Sequence, residues 1–277
     1  MSDFTETSSG QRLAVVDASG RSLVTVNDAG KAFVTRDGQA AWVLRHIALS
    51  VSEGEFVTVV GPSGSGKTTL LRMIAGITPP SEGEVRFGGE LVSGPSSDRV
   101  MVFQSSEAAL FEWLTAQQNV EFGLRSLRLP KSTRRERSAA VLDLVGLAAH
   151  ATKYPSQLSG GMQQRLQIAR AIAVEPKLLL MDEPLAALDA QTRRILLKEL
   201  VRLWEETRST FIYVTHDIRE AILLGGRIVV VSQGPAASVK IVLTNTSLYP
   251  RDEFGPDFMA LFRTIDHELA TEVGDAL

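Results

Sequence analysis

The run from Gly61 to Thr69 is the part of this chain whose residue types most clearly predict chemistry. It fits the pattern Gly-x-x-x-x-Gly-Lys-Ser/Thr of a phosphate-binding loop, and it consists of Gly61, Pro62, Ser63, Gly64, Ser65, Gly66, Lys67, Thr68 and Thr69. Glycines let backbone N–H groups turn inward around a β-phosphate without side-chain clashes. Lys67 would place its charge between the β- and γ-phosphates, and the Thr68 hydroxyl would be a ligand of Mg²⁺. The run therefore predicts binding of a nucleoside triphosphate.

Two carboxylates, Asp182 and Glu183, directly follow the apolar run Leu178–Met181. An acid at the end of such a strand can hold Mg²⁺ through water, which is the role predicted for Asp182. Glu183 is predicted to project to the opposite side of the strand and to act as the general base on the attacking water. A strand end carrying two solvated acids is the alternative, but the phosphate-binding loop upstream favours a hydrolytic site.

Gln104 and His216 each follow another apolar run, Val100–Phe103 and Phe211–Val214 respectively. Ligands of open α/β sheets bind at the carboxyl ends of the strands, so His216 is a candidate contact of the γ-phosphate. The neutral amide of Gln104 could orient water and coordinate Mg²⁺ without adding charge. Each residue taken alone is a weak signal, because a lone histidine in such a place is more often structural.

The run Leu158–Gly161 predicts a second anion site. Ser159, Gly160 and Gly161 precede a stretch whose apolar residues recur at helical spacing: Met162, Leu166, Ala169, Ile172 and Ala173. A helix that begins with a serine and two glycines offers unpaired backbone N–H groups and the positive end of its dipole to an anion. A chain with two such helix starts is expected to hold a nucleotide from two sides.

The elements that must position these residues point to an α/β fold. Brief apolar runs separated by helical stretches are typical of buried parallel strands, and the runs are Phe56–Val60, Val100–Phe103, Leu178–Met181, Phe211–Val214 and Ile228–Val231. Residues from Leu23 to Val51 alternate instead, with breaks at Gly30, Asp37-Gly38 and Ser52-Glu53-Gly54. This pattern predicts an N-terminal antiparallel β subdomain with tight turns.

The remaining segments divide as follows. Residues 105–164 contain no strand run and are predicted to be a helical insertion, in which Thr133 and Glu136 would form a capping box. Residues 1–22 are predicted to be a flexible N-terminal segment, and residues 233–277 a C-terminal extension with a helix over Asp257–Val273. The segment from Arg125 to Arg137 carries six basic residues and one acid. It is interpreted as a solvated surface, with contact to an acidic partner or lipid headgroups as the alternative.

Composition excludes several classes of function. A chain of 277 residues with net charge −3 and pI near 5.9 does not have the basic footprint of a nucleic-acid-binding protein. The absence of cysteine excludes disulfides and zinc-thiolate sites. The first residues lack the basic and apolar regions of a secretory signal, and no apolar run approaches the length of a membrane span. A cytosolic protein, or one bound to a membrane through a partner, is expected.

The order of these motifs resembles that of the ATP-binding subunits of ABC transporters over about residues 24–232. The order is GPSGSGKTT, then Gln104, LSGGMQQR, LLLMDEP, the run Ala187-Leu188-Asp189 and His216. The resemblance implies an α/β fold with a P-loop NTPase (RecA-like) core, the antiparallel β subdomain and the inserted α-helical subdomain. It assigns residues 23–232 to the ATPase domain, and it makes ATP and Mg²⁺ the expected ligands.

The resemblance also implies a quaternary structure. In that family two cassettes pack head to tail, and each ATP lies between the phosphate-binding loop of one protomer and the signature motif of the other. Leu158–Gly161 would be the signature motif, and Asp189 would lie at the dimer seam. An aromatic residue would stack on the adenine, with Phe33 as the better candidate and Trp42 as the other.

Further strings resemble the importer branch for nitrate, sulfonate and taurine, among them Trp113-Leu114-Thr115, LSGGMQQR and Thr215-His216-Asp217-Ile218. The expected partners are transmembrane permease subunits, a second copy of the chain and, indirectly, a periplasmic or extracellular solute-binding protein. The expected location is the cytoplasmic face of the cell membrane, as a peripheral protein. An apolar groove for a partner helix is predicted from Leu110, Phe111, Trp113 and Leu114, with simple core packing as the alternative.

Two features leave the partner open. The stretch from Gln104 to Trp113 is about two residues longer than in the family pattern, and Glu112 stands where a proline is common before the tryptophan. The ATPase of an export or lipoprotein-release system would carry the same catalytic motifs. A non-transport ABC ATPase is the other alternative. Those of the DNA-repair and structural-maintenance type have a long coiled coil between the loop and the signature, and this chain has no heptad repeat there.

Overall fold

The described part of the chain is residues 22–35, 37–104, 110–186 and 188–271 of a computed structural model, and it contains two sheets flanked by helices. The strands are β1 (Ser22–Val34), β2 (Ala40–Ser52), β3 (Phe56–Val60), β4 (Glu82–Phe87), β5 (Glu90–Leu91), β6 (Arg99–Val102), β7 (Leu178–Asp182), β8 (Thr210–Thr215), β9 (Arg227–Val231) and β10 (Val239–Thr244). The helices are α1 (Lys67–Ala75), α2 (Ala116–Leu124), α3 (Lys131–Leu144), α4 (Gly160–Ile172), α5 (Ala190–Thr207), α6 (Ile218–Leu224) and α7 (Pro256–Ala270). None of these helices has the length and apolar character needed to cross a bilayer. The predicted segment 1–22, apart from Ser22, lies outside the described residues.

The five apolar runs form the parallel part of the main sheet, as predicted. The strand order is β10-β9-β3-β8-β7-β6, and all neighbours are parallel except β10, which pairs antiparallel with β9. Every residue of β3, β7 and β8 is buried, because elements cover both faces of the sheet. The bounds of β3 agree with the prediction, whereas β6 is shifted by one residue and ends at Val102 instead of Phe103.

The second sheet is antiparallel, as predicted, and has the order β2-β1-β4-β5. The prediction that Gly30 separates two strand segments was wrong, because β1 continues through it. The register with β2 shifts on both sides of Ala29, so this part of the strand is bulged. A Cβ atom at Gly30 would lie 3.0 Å from the ring of Trp42. The glycine therefore marks a close approach inside a strand, and strands β4 and β5 complete a sheet that the sequence predicts only in part.

Successive residues of β3 pack into different hydrophobic clusters, since side chains point alternately to the two faces of a sheet. Phe56 packs with the helical insertion and α5, in a cluster with Leu166, Leu200 and Phe211. Val57 and Val59 pack on the other face with the antiparallel sheet and α1, including Leu70 and Leu71. The main sheet is thus held between the two subdomains, and its carboxyl edge is fixed from both faces.

The helical insertion exists, but its first capping box lies elsewhere than predicted. Helix α3 begins at Lys131 after Pro130, so Thr133 is already inside the first turn and caps nothing. A capping box is found instead at the start of α2, where Thr115 Oγ1 accepts a hydrogen bond from the N–H of Gln118 (3.3 Å) and Gln118 Oε1 accepts one from the N–H of Thr115 (3.0 Å). Proline before a helix is a competing start signal.

The C-terminal extension contains more structure than the predicted helix. Helix α7 ends at Ala270, and the predicted end at Val273 lies outside the described residues. Strand β10 was not predicted, and it extends the main sheet beyond the predicted domain boundary at residue 232. Its residues are half-buried, so its burial pattern lacks the strong contrast of a fully covered strand. Helix α7 packs Phe258 and Ile265 against α6 and β9.

Candidate active site

The phosphate-binding loop connects β3 to α1 at the carboxyl edge of the main sheet. Gly64 and Gly66 have φ angles of 80° and 82°, which only glycine adopts readily. A Cβ atom at Gly66 would lie 2.7 Å from the Leu44 side chain, and one at Gly61 would lie 2.7 Å from the carbonyl oxygen of Val231. Both the backbone angles and the packing therefore require glycine, and the loop is fixed against β2 and β9.

Lys67 is buried at the first turn of α1, and its ammonium group lies within the loop. Lys67 Nζ donates hydrogen bonds to the carbonyl oxygens of Gly61 (2.8 Å) and Pro62 (2.7 Å). Burial lowers the pKa of Lys67, and the negative charges of Glu183 and Asp182 oppose this shift. The sequence placed Lys67 in the loop, and the structure adds that both carboxylates are near enough to act on it electrostatically.

Thr68 and Asp182 come from different elements and meet at this edge. Thr68 Oγ1 donates a 2.9 Å hydrogen bond to Asp182 Oδ1. Burial raises the pKa of Asp182, the hydrogen bond from Thr68 opposes the rise, and the adjacent Glu183 adds to it. Mg²⁺ is bound in such sites through one or two protein oxygens together with water and phosphate oxygens. The hydroxyl and the carboxylate therefore fit this ion, although the described residues contain no cluster of three or more acidic, histidine or cysteine ligands.

Gln104 is exposed and lies two residues beyond the end of β6. Among the described residues it makes no hydrogen bond to Thr68 or Asp182, and the following residues 105–109 are not described. Its assignment to Mg²⁺ and to the attacking water stays a prediction.

Glu183 and His216 form a hydrogen-bonded pair. His216 Nδ1 lies 2.9 Å from Glu183 Oε2, with His216 exposed and the Glu183 side chain largely covered. The prediction that strand alternation orients Glu183 was wrong, because β7 ends at Asp182 and Glu183 has a left-handed φ of 43°. Such a conformation costs an ordinary residue about 1–2 kcal/mol. The N–H of Glu183 donates to the carbonyl of Val214 (3.0 Å), which fixes this turn to β8.

A small cavity adjoins this pair, and the sequence did not predict all of the residues that surround it. Its lining includes Glu183, Arg193, His216, Asp217 and Glu220. Glu220 is buried, and its Oε2 accepts hydrogen bonds from the hydroxyl groups of Tyr213 (2.9 Å) and Thr215 (2.8 Å). Burial raises the pKa of Glu220, against the effect of these two hydrogen bonds. Sequence analysis assigned neither Arg193 nor Glu220 a role at the site, and only the fold brings them together here.

The signature run forms the start of α4, as predicted. Ser159 is the N-cap residue, and its Oγ accepts a hydrogen bond from the N–H of Met162 (3.4 Å). A Cβ atom at Gly160 would meet nothing within 4 Å, whereas one at Gly161 would lie 2.6 Å from Thr192 Cγ2. No hydrogen bond or ion pair in the described part of the chain joins Ser159 or Gly160 to the phosphate-binding loop.

Asp189 caps helix α5, next to this contact. Its Oδ1 accepts hydrogen bonds from the N–H groups of Gln191 and Thr192, both at 3.0 Å. Hydrogen bonds from Thr192 lower the pKa of this exposed carboxyl. Asp189 therefore has a structural function within its own chain, and its predicted contact with nucleotide is untested.

Two aromatic residues were candidates for stacking on a base. Phe33 is 47% exposed, and Lys31 Nζ lies 5.4 Å from the centre of its ring. Trp42 is half-buried, packs against Gly30 and is covered by the guanidinium of Arg45 at 4.7 Å. Phe33 is the more accessible ring, which favours it as the stacking residue without testing that prediction.

The predicted groove residues differ in exposure. Leu110 is buried in the core of the insertion, so its assignment to a groove was wrong. Trp113 is 73% exposed, and its ring lies 5.4 Å from that of Phe111, which in turn lies 4.4 Å from that of Phe122. Leu114 is half-buried. The structure thus has an exposed aromatic patch, defined here as Phe111, Trp113 and Phe122.

Comparison with known proteins gives consistent matches. A family model described as ABC transporter matches residues 44–186. The taurine import ATP-binding protein of Sinorhizobium fredii (strain NBRC 101917 / NGR234) is 52% identical over 200 residues, which cover 72% of this chain and 74% of that protein. The nitrate import ATP-binding protein of Synechocystis sp. (strain ATCC 27184 / PCC 6803 / Kazusa) is 42% identical over 231 residues, covering 83% of this chain and 85% of that protein.

A solved structure matches over most of the fold. It is a dimer of an ATP-binding cassette in a post-hydrolysis state, bound to ADP and Pi. Its TM-score is 0.71 at 33% sequence identity, and the match covers 81% of this chain and all of that one. The likeness therefore includes sequence as well as fold.

Neutralising Asp182 should stabilise the nucleotide-free protein near neutral pH. Because the folded state raises the pKa of Asp182, it binds a proton more tightly than the unfolded chain, so ionisation of this group lowers the free energy of unfolding. Asp182→Asn, which keeps an oxygen for the Thr68 hydroxyl, should raise the melting temperature at neutral pH. The gain should shrink as the pH falls through the raised pKa toward the ordinary value.

Asp189→Ala is the control, because it should lower the melting temperature at neutral pH where Asp182→Asn should raise it. The pKa of Asp189 is lowered, so its charge stabilises the fold above the ordinary pKa, and that stability is lost as the pH falls through the folded value. The variant should melt earlier than the wild type at neutral pH, with a difference that diminishes in acid. Thermal unfolding followed by circular dichroism over a pH series measures both. An Asp182→Asn variant with no gain at neutral pH would contradict the assignment.

Gly161 and Gly160 provide a matched pair for the contact between α4 and α5. Both substitutions by alanine gain the same helix propensity, but only Gly161→Ala drives a methyl group against Thr192. The free energy of unfolding should be lower in Gly161→Ala than in Gly160→Ala by about 1–3 kcal/mol, the usual cost of overpacking. Urea denaturation measures the difference. Adding Thr192→Ser, which removes Cγ2 and keeps the hydroxyl, should restore most of it, and a failure to restore would refute this contact as the cause.

Proposed function

This chain belongs to the family of ABC transporter ATP-binding proteins, which bind and hydrolyse ATP, and we propose that it powers an importer of a small anionic solute. One observation carries the catalytic part: five residues converge at the carboxyl edge of the parallel strands of the main sheet, namely Lys67, Thr68, Asp182, Glu183 and His216. The solute class rests on relatives named for taurine and nitrate import. The chain itself would act at the cytoplasmic face of the membrane, and a solute-binding protein outside the membrane would supply the solute.

The proposed reaction is hydrolysis of the β–γ phosphoanhydride bond. The oxygen of a water molecule bonds to the γ-phosphorus, the bond to the bridging oxygen breaks, and the products are ADP and phosphate. Glu183 accepts the proton of that water as its general base. Its Oε2 is occupied by His216, so Oε1 is the oxygen that faces the water.

The other residues of the site bind the phosphates and the metal ion. Lys67 and the N–H groups of the glycine-rich loop bind the β- and γ-phosphates. Thr68 and Asp182 would hold Mg²⁺, with Gln104 as a further proposed ligand, and the ion would neutralise charge on the phosphate oxygens. With Nδ1 of His216 directed at Glu183, Nε2 is the ring nitrogen left to donate a hydrogen bond to a γ-phosphate oxygen.

A head-to-tail dimer would complete each site. The start of α4 offers Ser159 and the N–H groups of Gly160 and Gly161, with open space in front of Gly160. A γ-phosphate from a partner chain is the anion that this helix start would bind. Phe33 of the first chain would stack on the adenine, and Asp189 would lie beside the seam.

Glu183→Gln should form a stable dimer when ATP and Mg²⁺ are present. The variant keeps the hydrogen-bonding shape of the side chain but accepts no proton, so the γ-phosphate that joins the two chains persists. Size-exclusion chromatography with light scattering measures the change from monomer to dimer. A Glu183→Gln protein that stays monomeric at saturating ATP, or that still hydrolyses ATP at the wild-type rate, would refute the proposal.

Ser159→Gly in the Glu183→Gln background is the sharpest control. Glycine is nearly as good an N-cap as serine, so α4 should persist with a loss of only a few tenths of a kcal/mol, about 0.3. The double variant should bind ATP as a monomer with unchanged affinity and dimerise at least about a hundredfold more weakly, because one charge-assisted hydrogen bond of about 1.5 kcal/mol or more is lost at each of the two sites. Unchanged dimerisation would remove Ser159 from the interface.

The aromatic patch is the proposed docking surface for a transmembrane permease. Asn119 holds its loop in place: Asn119 Oδ1 accepts from the N–H of Phe111 (2.9 Å), and Nδ2 donates to the carbonyls of Phe111 (3.1 Å) and Leu114 (3.0 Å). An exposed aromatic surface on a fixed loop suits an apolar helix of a partner. The long stretch before Trp113 would then distinguish this permease from others.

Trp113→Ala should weaken association with the permease and leave the ATPase activity of the isolated subunit unchanged. Its ring is exposed, so it contributes little to the stability of the fold. If the ring is buried at the interface with the permease, its removal should weaken the binding free energy by about 2 kcal/mol or more. Co-purification of tagged permease from membranes measures the association. Phe254→Ala, which removes an 85% exposed aromatic ring from another part of the chain, is the matched control. Equal recovery of permease by both variants would exclude the patch.

A further inference from the structure

Arg193 lies in the first turn of α5 and reaches two other segments with one guanidinium group. Its Nη2 donates a 3.0 Å hydrogen bond to the carbonyl of Leu188, directly before Asp189. Its Nη1 lies 3.9 Å from Asp217 Oδ2, and its Nε lies 3.6 Å from Glu220 Oε1. The side chain is 31% exposed, so these are partly buried ion pairs. Arg193 thus connects the turn formed by Leu188 and Asp189, called the Asp189 turn below, to the segment that follows β8.

The two carboxylates control the backbone on both sides of His216. Asp217 is the next residue, and its Oδ1 accepts from the N–H groups of Arg219 (2.8 Å) and Glu220 (3.4 Å) to cap α6. Glu220 Oε2 accepts from the hydroxyl group of Thr215, the residue before His216. Only the other oxygen, Oε1, faces Arg193. The guanidinium is therefore paired with two acids on either side of His216: Asp217 is the next residue, and Glu220 accepts a hydrogen bond from the side chain of Thr215.

A planar guanidinium is well suited to this place. It donates one hydrogen bond, from Nη2 to a carbonyl, and its Nη1 and Nε lie at ion-pair distance from two carboxylates without a hydrogen bond to either. A lysine ammonium is a point charge that cannot span all three groups. Its charge lowers the pKa of buried Glu220, against the burial that raises it. Arg193 also lines the small cavity that Glu183 and His216 share. It makes no predicted contact with ATP, and both of its carboxylate partners lie next to His216 in the chain or in contact with its neighbour Thr215, so we expect its effect on hydrolysis to pass through His216.

We propose that Arg193 is a positioning residue for hydrolysis, which orients His216, and through it Glu183, from the Asp189 turn. This inference rests on the roles proposed above for Glu183 and His216. It extends them by naming the residue that connects the pair Glu183 and His216 to α5, the helix that begins beside the proposed dimer seam.

Steady-state ATP hydrolysis by Arg193→Met, Arg193→Lys and the control Arg194→Met tests this role. Arg194 is the next residue on α5 and is exposed, so Arg194→Met removes the same charge without touching the cavity. Arg193→Met should lower kcat about tenfold, because a misplaced catalytic group raises the activation barrier of hydrolysis. The KM for ATP should stay within about twofold of the wild-type value. Arg193→Lys should recover part of kcat, and Arg194→Met should behave as the wild type. Binding of a fluorescent ATP analogue should be the same in all of them.

A double-mutant cycle separates positioning from general destabilisation. If Arg193 acts through His216, Arg193→Met should add less than about twofold to the loss already caused by His216→Gln. Full additivity would overturn the proposal, and so would wild-type kcat in Arg193→Met. If Arg193→Met does not fold, wild-type kcat in Arg193→Lys overturns it instead. Unimpaired hydrolysis by Glu183→Gln and His216→Gln would refute the proposed function itself, which is a different result from a failure of Arg193 alone.

Discussion

The hydrogen bond between Thr68 and Asp182 is the interaction on which the active site depends. It joins α1 to the end of β7, although β8 lies between β7 and β3 in the sheet. The parallel registers bring the ends of the three strands level: Val60 of β3 pairs with Thr215 of β8, and Asp182 of β7 pairs with Val214. His216 therefore emerges between the phosphate-binding loop and Glu183. The catalytic arrangement follows from strand order and register before any loop is considered.

This arrangement concentrates charge at a buried edge. Burial disfavours both the Lys67 ammonium and the Asp182 carboxylate, and their mutual attraction offsets only part of that cost. Glu183 adds a second carboxylate and a left-handed backbone angle. Such features destabilise a fold and persist where a ligand compensates for them. In the proposed function, a polyphosphate with its cation would supply negative charge for Lys67 and positive charge for the carboxylates, so binding would offset the cost of burying these groups.

The sequence predicts those parts of the site that depend on local pattern. Strand β3 was predicted with the observed bounds because four of its five residues are apolar and a glycine lies near each end, and the family resemblance is confirmed. Local pattern failed where two signals compete, as at Thr133, where the proline at position 130 starts the helix first. It also failed for half-buried β10. Arg193 and Glu220 meet only through long-range packing of α5 on α6, and no spacing rule within one segment identifies such a pair.

The first turn of α5 connects features that the sequence treats as separate motifs. Thr192 packs against Gly161 at the start of α4, and Arg193 reaches Asp217 and Glu220 beside His216. In the proposed dimer, α4 binds the partner's nucleotide, while His216 and Glu183 act on the chain's own nucleotide. This turn therefore lies between the two sites, held on one side by steric contact and on the other by ion pairs.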